Sequence, residues 1–293
     1  MSGPASFKFF PAVPPLGVFV EYLYSSYVPR EFISLIDSMR LPEVEAQIVF
    51  AIEEGNLLPG GQWLSDGTRA CLFMQPAHLQ MIPIPGSIRA AVGAALRPAG
   101  LRLLMPKGTG ELVDAPLIPL EDIWGAAARA LFERMVVAGT PGARLAMLEQ
   151  FLRERAFGVT APSRAVGRAV ELIRASHGEI SSEQLASACG CSSRTLRNLA
   201  IMETGLSPKH LARVMRIRRA LDLLSVAGVP LSDAALASAF SDQAHMSREF
   251  RELIGAPPSD LSQRLRSGAV PNFTAERSLM STGLLVMPKS GAL

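Results

Sequence analysis

What is scarce in this chain narrows its chemistry first. Four histidines (His78, His177, His210 and His245) and three cysteines stand in 293 residues. Cys189 and Cys191 are two positions apart, and no further Cys or His pair lies at metal-ligand spacing. Neither a disulfide framework nor a metal site is expected, and the cysteines read as small buried residues in a reducing compartment. Asp66, Cys71 and His78 are the scattered polar residues that could converge in a catalytic pocket. No Gly-x-Ser-x-Gly, His-Glu-x-x-His or Gly-x-x-x-x-Gly-Lys motif accompanies them, so neither an enzyme nor a cofactor is expected. No apolar run reaches the roughly 18 residues of a membrane span, because Arg, Glu or Pro interrupts each one. The N-terminus has no basic segment leading into an apolar one, as a secretory signal would. The expectation is a soluble, cytoplasmic protein with no membrane partner.

What is present suffices for packed domains. Hydrophobic residues make up 48% of the chain and charged residues 19%, which excludes a solvating disordered protein. The length suits about two domains. The formal charge of +3 conceals an asymmetry. Residues 1–162 hold 13 Lys/Arg against 15 Asp/Glu, whereas residues 163–266 hold 14 against 10. The basic excess therefore sits in the C-terminal part, where an acidic partner such as nucleic acid would be met.

The expected fold changes character along the chain. Gly17–Tyr27, Glu45–Ile52 and Arg69–Met74 have the Val, Ile, Phe and Tyr content of strands. Pro83, Pro85, Pro98 and Pro106 exclude a long helix between them. Leu120–Val137 carries Ile123, Ala127, Ala130, Leu131 and Arg134 at helical spacing, and Arg144–Arg155 repeats the pattern with Leu145, Leu148 and Leu152. An α+β N-terminal domain, a small sheet or barrel plus helices, is expected over 1–157, with a boundary in 157–163. An all-α domain follows over 163–266, and a mobile tail over 267–293.

The all-α part contains an internal repeat. Arg194–Leu211 aligns with Ala244–Leu261 at an offset of 50 residues, which places Gly205 on Gly255, Pro208 on Pro258, Leu196 on Met246 and Ala200 on Phe250. Short helices are expected before each copy, at Ser182–Cys189 and Ser232–Ala239, and Leu185-Ala-Ser-Ala188 shares its letters with Leu236-Ala-Ser-Ala239. Short helix, turn, amphipathic helix and glycine stop, made twice, predict two helix-turn-helix units. A long helix, Pro208–Val226, would join them. Ser181 and Gln184 form a capping box, and Ser192 and Ser241 are expected to cap the second helix of each unit.

Leu196, Leu199 and Ala200 in the first copy, and Met246, Phe250 and Leu253 in the second, would face inward. Arg194, Arg197 and Asn198, then Gln243, His245 and Arg248, would face outward near the helix starts. Arg pairs with guanine and Asn or Gln with adenine in the major groove, and recognition helices use their N-terminal residues for this. Ser192, Lys209, Arg213, Arg216, Ser241, Ser247 and Arg251 are the expected backbone contacts, which position without specifying. The competing reading is a protein-interaction module of the same helical fold that no longer binds specific DNA.

Three motifs carry a family resemblance: Arg216-x-x-Arg219-Ala220-x-x-Leu223-Leu224, Glu203-Thr204-Gly205-Leu206-Ser207-Pro208, and Phe240-Ser241-Asp242-Gln243-x-His245-x-Ser247-Arg248-x-Phe250-Arg251. Residues 163–266 resemble the DNA-binding domain of the AraC/XylS family of bacterial transcription regulators. The resemblance implies recognition helices at Ser193–Thr204 and Gln243–Ile254, double-stranded promoter DNA as partner, and RNA polymerase as a second. Ala200 stands where the family usually has an aromatic residue, so a looser first unit is expected. Ala239 stands where a glycine is usual, and a different turn is expected there. Arg40-Leu41-Pro42, Arg97-Pro98-Ala99-Gly100 and Ile118-Pro119-Leu120 resemble the domains that precede this unit in family members. That resemblance implies a small-molecule effector or a homodimer.

Overall fold

The computed structural model describes residues 6–27, 39–40, 46–54, 70–73, 82–83, 88–104, 117–161, 163–226 and 228–266. The expected tail 267–293, together with Leu41, Pro42, Asp66 and His78, lies outside them.

The N-terminal part is built on an antiparallel sheet. Strands β1 (Ser6–Pro11), β2 (Val20–Tyr27), β4 (Gln47–Glu54), β5 (Ala70–Phe73), β7 (Ile88–Leu96) and β8 (Leu117–Pro119) pair in the order β1-β2-β7-β4-β5-β8. The short strands β3 (Met39–Arg40) and β6 (Ile82–Pro83) pair separately. Side chains alternate across a strand, so Ile48 and Phe50 of β4 and Val92, Ala94 and Leu96 of β7 share one face. They join one apolar cluster with Trp124, Leu131, Met135, Leu148 and Leu152 from three helices, α1 (Leu120–Trp124), α2 (Ala126–Val137) and α3 (Pro141–Ala156). The single helix expected over Leu120–Val137 is two, because Gly125 takes φ 57° and ψ −141° between them. The opposite face is also buried at Val49, Ala51, Ala91 and Ala95. Gly93 lies on this side, where a Cβ would come within 2.4 Å of both Tyr24 and the Ile48 carbonyl. β7 was not among the expected strands, and β2 and β4 pair along its two sides.

The C-terminal part is helical: α4 (Arg164–Ala175), α5 (Ser182–Ala188), α6 (Ser193–Thr204), α7 (Pro208–Ser225), α8 (Leu231–Leu236), α9 (Gln243–Ile254) and α10 (Pro258–Arg266). It has two apolar clusters. Ala169, Ile173, Leu185, Leu196 and Leu211 form the first, with Cys189 and Cys191 packed at its edge. Phe240, Met246, Phe250, Leu253 and Leu261 form the second with Leu221 and Leu224 of α7. The architecture is thus an α+β part followed by two helix-turn-helix units joined by a long helix.

The two parts touch. The 3-10 turn Pro98–Leu103 lies against α6. Glu21 of β2 meets Arg174 of α4 at 3.2 Å and Arg97 at 3.4 Å.

Candidate nucleic-acid interface

The caps that place α6 and α9 are local. Ser192 accepts the Thr195 N–H at 3.1 Å, and Gly205 ends α6 in the left-handed conformation at φ 73°. Gly255 ends α9 in the same way at φ 80°. The first-turn N–H groups of each helix have no intrahelical acceptor and lie at exposed ends. The N-cap of α9 differs from expectation. Asp242, not Ser241, accepts the His245 N–H, at 2.6 Å. This hydrogen bond holds the Asp242 carboxyl below the ordinary carboxylate range.

The register explains the difference. Cys191 N–H donates to the Ala186 carbonyl in the first turn, and Phe240 N–H donates to the Ala235 carbonyl in the second. These positions are 49 apart, whereas the caps Ser192 and Asp242 are 50 apart, so the second turn contains one additional residue, Ser241. The shared letters of Leu185–Ala188 and Leu236–Ala239 therefore do not correspond in space. Leu185 is buried, while Leu236 is 65% exposed. Ala239 corresponds to Gly190 and takes its left-handed conformation, φ 57° against 67°. The turn is kept rather than replaced.

Arg194, Arg197 and Asn198 are exposed along the start of α6, with Leu196 and Ala200 buried behind them and Leu199 half-buried. Gln243 and Arg248 are exposed on α9, as is Arg251, with Ser247 half-buried. Lys209 is exposed at the start of α7. Each unit thus presents a donor-rich face at the beginning of its second helix.

Three of the expected contact residues have partners within the protein. His245 turns back toward its own turn: its Nδ1 lies 3.1 Å from the Ser241 hydroxyl, and the ring meets Phe240 edge-on at 5.4 Å. Arg213 donates through Nε to Glu249 at 2.7 Å, and its Nη2 lies 2.8 Å from Glu252. Burial alone would make that guanidinium easier to deprotonate, but the two carboxylates outweigh it and the proton is held more tightly. Arg216 donates to the Gly178 carbonyl at 3.0 Å, and its guanidinium carbon lies 5.9 Å from the centre of the Phe240 ring. Burial makes its proton easier to lose. Gly178 closes α4 and Phe240 belongs to the second unit, so Arg216 spans the two units. Sequence reasoning missed Glu249 and Glu252 as the carboxylates that claim Arg213. It also missed Glu203, which is 3% exposed and accepts the Ser163 N–H at 2.9 Å, so that α6 is tied to the start of α4.

The family model of a helix-turn-helix domain matches residues 185–264. A probable AraC family transcriptional regulator from Rhodopseudomonas palustris CGA009 is 32% identical, covering 37% of this chain and 100% of that one, with a TM-score of 0.33. An AraC-type transcriptional regulator from Chromobacterium violaceum is 26% identical over 34% of this chain and 91% of its own, with a TM-score of 0.33. ToxT from Vibrio cholerae O395 is 10% identical over 89% of this chain and 98% of its own, with a TM-score of 0.43. No curated protein matches the sequence. The family is one of regulators rather than enzymes. With the tandem units in place and 32% identity across the whole of the Rhodopseudomonas protein, the chain belongs to the AraC family of DNA-binding transcription regulators.

Proposed function

We propose that the chain is a sequence-specific bacterial regulator that reads DNA with Arg194, Arg197 and Asn198 of α6 and with Gln243 and Arg248 of α9. One observation carries this reading: both units expose their base-reading residue types at the start of a capped helix, while the apolar residues of the same helices are buried. Ser192, Lys209, Ser247 and Arg251 lie beside those faces and supply backbone contacts. An α7 of 18 residues is roughly 27 Å long at about 1.5 Å per residue. That length suits two helices entering successive major-groove segments about 34 Å apart on one side of the duplex.

Residues 1–157 form the effector-sensing domain in this reading, and residues 163–266 the DNA-binding domain. The sheet face turned away from α1–α3 supports a small-molecule site, because buried Val49, Ala51, Ala91 and Ala95 lie there beside Tyr24 and Gly93. Exposed Val136 and Val137 on α2 support a homodimer. RNA polymerase is the expected protein partner, in the cytoplasm.

Titrating the full chain against genomic fragments at two salt concentrations tests the function. A preferred fragment should bind at least about 1000-fold more tightly than competitor DNA. Equal binding to all fragments would leave the protein-interaction module as the better reading.

A further inference from the structure

We propose that Glu249, clasped by Arg213, is a positioning residue that aims the second recognition helix and so determines specificity without touching a base. This rests on the reading of α9 as a base-reading helix. Apolar burial of Met246, Phe250, Leu253 and Ile254 holds α9 in the protein, but such contacts are non-directional. They leave rotation of the helix about its own axis weakly determined.

The charged contacts are directional. Arg213 rises from α7 and divides its guanidinium between Glu249 and Glu252, which are three residues apart and share one side of α9. Arg213 and Glu249 are 19% and 15% exposed, so water competes little for the pair. The second Glu249 oxygen lies 3.9 Å from His245 Nε2, which brings the start of the helix into the same contact. Arg248 immediately precedes Glu249 in the chain and is exposed. A tip about 6 Å from the axis moves by about 1 Å for a 10° roll, and positioning errors of that size spoil a polar contact. The first unit has no counterpart: at the 50-residue offset, Glu249 and Glu252 fall on Leu199 and Met202. There Glu203 fastens α6 to Ser163 instead.

The test uses the full chain as wild type, Glu249→Gln, Arg213→Met and the double variant. Each is titrated against the preferred duplex and a scrambled duplex at one salt concentration, at a temperature where circular dichroism shows every variant folded. Each single variant is expected to lower the specific-to-scrambled ratio about tenfold or more. The double variant should do little worse than either, since the two residues act as one contact. Base preference should relax in the half-site under α9 and persist under α6. Unchanged ratios, additive losses or equal relaxation of both half-sites would overturn the proposal while leaving the regulator reading intact. A wild type without preference would overturn both.

Discussion

Ala239 holds its backbone at φ 57°, where an L-residue with a Cβ is strained by roughly 1–2 kcal/mol. Glycine relieves that strain but costs some chain entropy when it is ordered. Ala239→Gly is therefore expected to raise stability by about 1 kcal/mol in urea denaturation, and a loss would show that the alanine is not strained. Asp242 makes a second prediction at this scale. Its carboxyl is held below the usual range, chiefly by the His245 N–H. A depressed carboxylate stabilises the fold at pH values above its unfolded pKa and loses that contribution as pH falls through the folded value. Asp242→Asn keeps a capping oxygen without the charge. The melting temperatures of wild type and Asp242→Asn should differ at neutral pH and converge on acidification.

Single elements divide sharply into those visible in the sequence and those that are not. Helices α6 and α9 have the bounds that the family resemblance implies, Ser193–Thr204 and Gln243–Ile254. Their apolar stripes and terminal glycines are local signals, whereas the cap of α9 is Asp242 rather than the expected Ser241. Strand β7, Ile-Arg-Ala-Ala-Val-Gly-Ala-Ala-Leu, has a helix-friendly composition. Its identity comes from pairing with β2 and β4 and from Tyr24 crossing Gly93, neither of which is written nearby. The intramolecular partners of the α7 arginines are invisible in the sequence for the same reason: Arg213 and Arg216 look like free cations until α9 and Gly178 are brought to them. Arg216→Ala should accordingly reduce stability by about 1–3 kcal/mol by leaving a buried carbonyl unpaired. Its salt slope for DNA binding should stay near that of the wild type. A slope reduced by about one would restore the phosphate contact expected of this residue.

At the scale of the whole molecule, Glu21 links the N-terminal part to the DNA-binding part through Arg174. Glu21 receives Arg97 and Arg174, both partly exposed, so Glu21→Ala should cost no more than about 1 kcal/mol. The loss should be local. Hydrogen exchange should quicken at Pro98–Leu103 and α6, leaving α9 unchanged, and acceleration throughout the C-terminal part would contradict this placement. Arg194, Arg197 and Asn198 of α6 stay exposed beside the Pro98–Leu103 turn, so the contact does not cover them. The order of the parts, an α+β unit before tandem helix-turn-helix units, was legible from changing periodicity and from the 50-residue repeat. The additional residue Ser241 was not, because a repeat matched by letters conceals a one-residue insertion in a turn.

The central claim is that two helices, each with its own exposed face, read DNA sequence. Selection of duplexes from a randomised pool by the full chain, repeated with Arg194→Ala and Arg248→Ala, tests it most directly. The wild type should enrich two half-sites about one helical turn apart. Arg194→Ala should relax one half-site and Arg248→Ala the other, each at a cost of about 1–3 kcal/mol. Enrichment of no sequence over competitor, or loss of the same bases in both variants, would contradict it.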